Sequence, residues 1–187
     1  RYRSDRNNTP ANSTDDVEVL LLGLRNVSAS FGDETNNFVT LSGGSGDFLV
    51  LPEGLAAEIE GTLAVNVPDV SAEGTFALRI NTTGTAINES YEVFGNPETM
   101  VLPAGPYFQI AGTGVNLDIA GQRLGGDFIF EQNADGSVRI DVANAFLTLG
   151  DGTNDFVSIT GGFGTFLIDA EGVAGGLSVQ SVNVTIP

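Results

Sequence analysis

The sequence predicts an all-β fold, a mostly antiparallel meander of long strands arranged as a sandwich or a coiled sheet. Three observations predict it. Apolar and polar residues alternate along most of the 187 residues, the period of two that a half-buried strand requires. Clusters rich in Gly, Pro, Asn and Asp interrupt that alternation at short intervals, as turns between strands do. One acidic, glycine-rich phrase is written twice, GDETNNFVTLSGGSGDFL at 32–49 and GDGTNDFVSITGGFGTFL at 150–167, which marks a tandem structural unit.

The elements follow in chain order. Residues 1–16, RYRSDRNNTPANSTDD, are polar and read as a tail or linker. The run from Val19 to Leu22 opens the first strand and stops at Gly23, far short of the ~20 apolar residues of a membrane span. Residues 55–60 hint at a helix, but the alternation around them argues for strand. Val70, Ala72, Gly74, Phe76, Leu78 and Ile80 form an apolar face against Ser71, Glu73, Thr75, Ala77 and Arg79. Val138, Ile140 and Val142 do the same, and near Asn144 the apolar phase slips to Leu147 and Leu149, which predicts a β-bulge. LPEG, VPD, NTTG, GNPE, LPAGP, NADG, GDGTND and DAEG are the turns. Glycines inside the alternation, Gly61, Gly74, Gly112, Gly125, Gly126 and 161–162 among them, predict sharp coiling or close packing. Phe31, Phe38, Phe48, Phe76, Phe128, Phe156 and Phe166 each sit in an apolar run and are expected in the core. A membrane barrel fits badly, because aromatic girdles are missing and no outward apolar band is evident.

Shifting the chain by 118 positions aligns 31–57 with 149–175, with fourteen of the 27 positions identical. After a one-residue gap the match continues, VNVP at 65–68 against VNVT at 182–185. The repeat unit is therefore about 118 residues long. The expected organisation is a tail at 1–16, a first unit at 17–141, and the start of a second unit at 142–187 packed on the first.

Composition narrows function. The chain has no His, Cys, Lys or Trp, and its formal net charge is −17. Nucleic acid and anionic lipid are poor partners for such a surface. Neither a Ser-His-Asp triad, a thiolate nucleophile nor a lysine Schiff base can be built. A carboxylate pair of the glycosidase type survives, but with no Trp and three Tyr the aromatic platforms such sites use are scarce. The expectation is that the chain is not an enzyme.

Two kinds of candidate site remain. Asp33, Glu34 and Asn36 in the first phrase, and Asp151, Asn154 and Asp155 in the second, offer oxygen ligands of the kind calcium accepts. The same residues serve equally as turn formers bonding their own backbone. Glu34 becomes Gly152 and Asn37 becomes Asp155 between the copies, so the ligand set is not repeated. Six Asn-x-Ser/Thr sequons, at Asn7, Asn12, Asn26, Asn81, Asn88 and Asn183, are candidate N-glycosylation sites. Their bland alternative is that Asn and Thr are common in turns and strands.

LGDGTNDFVSITGGFGTFLIDAEGVAG at 149–175 and GTLAVNVPDVSAEGTFALRINTTG at 61–84 resemble the tandem units of giant acidic secreted bacterial surface proteins, of the adhesin-like, type I-secreted class. That resemblance implies an extracellular or cell-surface location, a structural or adhesive role, and often calcium. The nonapeptide calcium repeats common in that class are absent. The expected function is an extracellular scaffold, fibre or adhesin-stalk module. Its partners would be copies of itself or neighbouring units joined head to tail by strand pairing, without membrane insertion. The alternative is a carbohydrate-binding β-sandwich of a surface protein, which an exposed aromatic pair on one sheet face would favour.

Overall fold

Strand follows strand because the predicted alternation is kept almost without interruption, and no helix occurs among the described residues. The computed structural model describes residues 2–4, 17–33, 36–151 and 153–185. In chain order the strands are β1 (Tyr2–Ser4), β2 (Val17–Gly32), β3 (Asn37–Leu51), β4 (Gly54–Val67) and β5 (Val70–Asn81). A hairpin of β6 (Ile87–Val93) and β7 (Asn96–Leu102) comes next. Then come β8 (Tyr107–Ile119), β9 (Gln122–Gln132), β10 (Val138–Gly150), β11 (Asp155–Asp169), β12 (Gly172–Ser178) and β13 (Ser181–Val184).

One sheet holds all of these except the hairpin. Its order is β1-β2-β3-β4-β5-β8-β9-β10-β11-β12, every neighbouring pair antiparallel, and β13 follows β12 along the same edge of β11. The sheet does not close into a barrel. Residues 55–60, which hinted at a helix, lie within β4, paired on both sides. The predicted tail contains β1, which pairs Tyr2–Ser4 with residues 17–19. The boundary drawn at 141/142 falls inside β10, so the second unit does not pack on the first as a separate body. It continues the same sheet.

The stretches that match in sequence form corresponding strands. A shift of 118 carries β2 onto β10 and β3 onto β11, and β4 onto β12 with β13. The phase slip at Asn144 is a bulge between Val142 and Ala145, with Asn144 at φ 53°. Its counterpart Asn26 has the same φ in a bulge between Leu24 and Val27. Gly43 in β3 and Gly161 in β11 repeat the pattern at φ 61° and 65°, and Gly114 in β8 does so at 60°. The left-handed region favours Asn and Gly, which is why these two residue types occupy every one of these kinks. The five bulges lie at one level and bend the sheet across its strands.

The two faces differ sharply. Cross-strand partners share a face, so the register places Ile59, Leu78, Ile110, Phe130, Ile140 and Phe166 in one row. The neighbouring row alternates glycine and large side chains: Gly61, Phe76, Gly112, Phe128, Val142 and Gly164. A side chain on Gly112 would strike the Phe128 ring, so the missing Cβ lets the ring lie across its neighbour. Phe76 and Phe128 stand 6.2 Å apart, tilted at 60°. From Leu20 onward this face carries no charged side chain between the turns, and Gln122 and Gln132 are its polar members. At its β1 edge the register adds the pair Arg3 and Glu18.

The core lies on the other face. The β6–β7 hairpin folds over the ends of β2–β5, and Val19, Leu49, Leu51 and Ala56 from the sheet meet Ile87, Tyr91, Val93, Met100 and Leu102 from the hairpin, with Tyr107 beside them. No phenylalanine belongs to this cluster. The expectation that the Phe residues form the core is thus overturned. Phe48, Phe76, Phe128 and Phe166 lie on the charge-free face, part-buried by their strand neighbours, and Phe31 at the edge is 76% exposed. An apolar band open to the outside therefore exists, contrary to the sequence reading. The architecture is a single bent sheet with a hairpin on one face, not a two-sheet sandwich.

Candidate functional site

The repeated phrase is a hairpin joint with the same hydrogen bonds in both copies. The Asp33 N–H donates to the Asn36 carbonyl at 2.9 Å, and the Asn36 N–H to Asp33 Oδ1 at 2.7 Å. In the second copy the Asp151 N–H donates to the Asn154 carbonyl at 3.1 Å, and the Asn154 N–H to Asp151 Oδ1 at 2.7 Å. Thr153 N–H adds a bond to the same oxygen and Asn154 Nδ2 reaches Asp151 Oδ2. The Asn154 and Thr153 amides hold the Asp151 carboxyl below the usual carboxylate range. Asp155 begins β11, exposed, and Glu34 lies outside the described residues. Among the described residues no group of three or more acidic side chains converges as a metal site. What the structure assigns to Asp33 and Asp151 is the turn itself.

Calcium can still be tested directly. With Asp151 occupied as a turn acceptor, millimolar calcium is expected to leave the thermal midpoint unchanged relative to chelator at matched ionic strength. A calcium-dependent rise that Asp151→Asn with Asp155→Asn removes would show that the metal binds there, since a native-state ligand stabilises by mass action.

The described sequons differ in access. Asn88 on β6 and Asn183 on β13 are exposed, and Asn26 is exposed at its bulge. Asn7 and Asn12 lie outside the described residues. Asn81 is 0% exposed, and both ends of its amide are committed. Its Nδ2 donates to the Thr85 carbonyl at 2.8 Å and the Pro103 carbonyl at 2.7 Å. Its Oδ1 accepts from Thr83 N–H at 2.9 Å and Thr83 Oγ1 at 2.7 Å. The fold leaves no room for a glycan at Asn81, so that candidate is withdrawn.

Two polar clusters had no sequence signal. Asp127 on β9 ties neighbouring bulges together: it accepts the Gly114 N–H at 2.7 Å and Asn144 Nδ2 at 2.5 Å. Those bonds, the Gly114 amide first, hold its carboxyl below the usual range. Asp47 on β3 clasps sheet to hairpin, accepting Arg25 Nη1 at 2.6 Å and Nη2 at 3.0 Å in a bidentate pair, and the Tyr91 hydroxyl at 3.3 Å. Arg25 Nη2 also reaches Glu98 on β7 at 3.1 Å. Burial, then the nearby Asp47 carboxylate, pushes the Tyr91 phenol upward. Glu58 pairs with Arg79 at 3.2 Å, and burial raises its carboxyl against the opposing pull of that arginine. Together they line a polar cleft of about 320 Å³. Each charge there has a protein partner, so the cleft reads as a joint between sheet and hairpin.

On the opposite face, the bend opens an apolar trough of about 470 Å³ across β2, β3, β4, β5 and β8, with Leu24, Leu41, Ile59, Leu63, Phe76 and Ile110 on its walls. None of the candidate site residues read from the sequence lies in it. No helix among the described residues is long and apolar enough to cross a membrane. Compared with protein-family models, curated proteins and solved structures, the chain matches none.

Proposed function

We propose that this chain is a non-catalytic structural module of an extracellular or cell-surface tandem-repeat protein, a scaffold, fibre or adhesin-stalk unit whose sheet is continued from unit to unit by strand pairing. The observation that carries the reading is the equivalence of β2-β3-β4 with β10-β11-β12/β13. β4 is paired on both edges, by β3 and β5. Its counterparts β12 and β13 are paired, among the described residues, by β11 alone. β10 is flanked by β9 and β11, whereas its counterpart β2 has, among the described residues, only the three of β1 beside β3. The sheet thus carries two long edges whose equivalents inside the unit are occupied, and such edges pair readily. Pairing of that kind is heterologous and grows open-ended unless its rotation closes a ring.

A sugar-binding module gains no support from these surfaces. Tyr91 and Tyr107 are buried, and the Phe76–Phe128 and Phe108–Phe130 pairs are part-buried by their strand neighbours, with Gln132 the one polar side chain paired beside them.

The Thr185 N–H points to the Phe156 carbonyl, so the period of two turns the N–H groups of Val182 and Val184 to the open edge. Velocity sedimentation is expected to show species that grow in size with concentration. Val182→Pro with Val184→Pro, which removes only outward donors, is expected to shorten that series while leaving the circular dichroism unchanged. A full chain whose mass does not respond to concentration, or assembly indifferent to the two prolines, would defeat the proposal.

A further inference from the structure

We infer that the charge-free face is covered by the same face of a second copy, two sheets stacking face to face about a two-fold axis. This does not depend on edge pairing, since it uses the face and not the rim of the sheet.

The argument begins with what the face lacks. Its backbone groups are spent in the ladder, and across the body of the sheet its polar side chains are Gln122 and Gln132. Any partner that brought polar groups to it would leave them unbonded, at about 1–3 kcal/mol each. The occupant must therefore be apolar and broad. Ten strands at about 4.8 Å and about eleven residues at about 3.3 Å make a face on the order of 1,500 Å². A stable interface needs about 800 Å² from each partner, so half of this face suffices.

A bilayer is the other broad apolar surface, and among the described residues this face has no belt of the groups that hold a protein there. Interfacial anchoring uses Trp, Tyr, Lys or Arg at the rim. There is no Trp or Lys, Tyr91 and Tyr107 are buried under or beside the hairpin, and the register puts Arg79, Arg123 and Arg139 on the opposite face. Arg3 at the rim is matched across the strands by the acidic Glu18. A copy of the chain, by contrast, presents an uncharged surface of equal size. It keeps the acidic faces of both copies outward, where solvent screens them.

Shape agrees. A twisted sheet is concave along one diagonal and convex along the other, and a two-fold axis along the strands lays the convex diagonal of one copy over the concave diagonal of the other, with the strands of the two sheets nearly aligned. The alternation of Gly61, Phe76, Gly112 and Phe128 along one row supplies holes and knobs for that contact.

Sedimentation equilibrium on the intact chain tests this, with two probes chosen because they are exposed in the single copy: Leu24 at 38% and Leu124 at 43%. Leu24→Glu and Leu124→Glu should each leave the isolated fold intact. Each is expected to weaken a wild-type dimer by at least about a hundredfold, because the new carboxylate must be desolvated at the interface. Thr113→Glu, on the opposite face by its pairing with Thr75, should leave the dimer unchanged. Open-ended growth surviving in Leu124→Glu would be edge pairing, and a closed dimer surviving in Val182→Pro would be face pairing, so the two proposals fail separately. A wild-type monomer at all concentrations overturns the inference. So does a dimer indifferent to both glutamates, or a monomer that floats with phosphatidylcholine vesicles.

Discussion

Asn81→Asp is expected to cost more than about 3 kcal/mol of folding stability at neutral pH. The side chain is 0% exposed and its amide nitrogen donates to two carbonyls, those of Thr85 and Pro103. Those bonds pin the two crossings between the sheet and the hairpin, residues 82–86 and 103–106, to the end of β5. A carboxylate in the same place brings a buried charge against two carbonyl oxygens and removes both donors. Size is unchanged, so packing cannot be the cause. The sign of the pH dependence follows from the same geometry. Burial and the facing carbonyls raise the introduced carboxyl in the folded state above its unfolded value of about 3.9. The folded variant then binds more protons than the unfolded chain, so its stability falls as pH rises from about 4 through the folded pKa. Urea melts at pH 7 and pH 4 check this. A loss below about 1 kcal/mol, or one independent of pH, means that the amide does not hold the crossings.

Asn81 also marks where legibility ended. In the sequence it is one of six sequons, and nothing in N-T-T-G distinguishes a surface acceptor from a buried pin. Burial is decided by the hairpin folding back over β5. Strand existence and face were readable because side-chain parity is local: the alternation of Val70 to Ile80 is one row-by-row slice of the apolar face. The bulge at Asn144 was readable because the apolar residues on either side change phase. Its twin at Asn26 was not, since the apolar run from Val19 to Leu22 and then Leu24 blurs the phase that would have slipped. The likeness of the two acidic phrases was legible from identity at a shift of 118, and in both Asp33 and Asp151 bond a turn. The clasp was invisible for a different reason. Arg25, Asp47 and Glu98 are far apart in the chain and meet through register and hairpin placement, neither of which leaves a local pattern. The phenylalanines show the same limit from the other side. Parity put Phe76 and Phe128 on the apolar face, but which apolar face receives a cover depends on where the one unpaired hairpin goes.

That placement yields a sharp contrast between two adjacent residues of β7. Met100 is 0% exposed among the side chains the hairpin lays on the sheet, while Val101 points away and is 61% exposed. Met100→Ala is expected to cost about 2–5 kcal/mol, the transfer term of the deleted atoms plus the cavity they leave between hairpin and sheet. Val101→Ala is expected to stay within about 0.5 kcal/mol, as solvent-facing truncations do. Because the hairpin is the one element on that face among the described residues, loosening it should also free the crossings it shares with Asn81. Amide exchange in residues 82–86 and in β6 should therefore accelerate in Met100→Ala before the centre of the sheet is affected. Equal effects of the two substitutions in chemical denaturation, or a Met100→Ala protein as stable as wild type, would place the core elsewhere. The charge-free face would then be the only other apolar surface large enough to hold it.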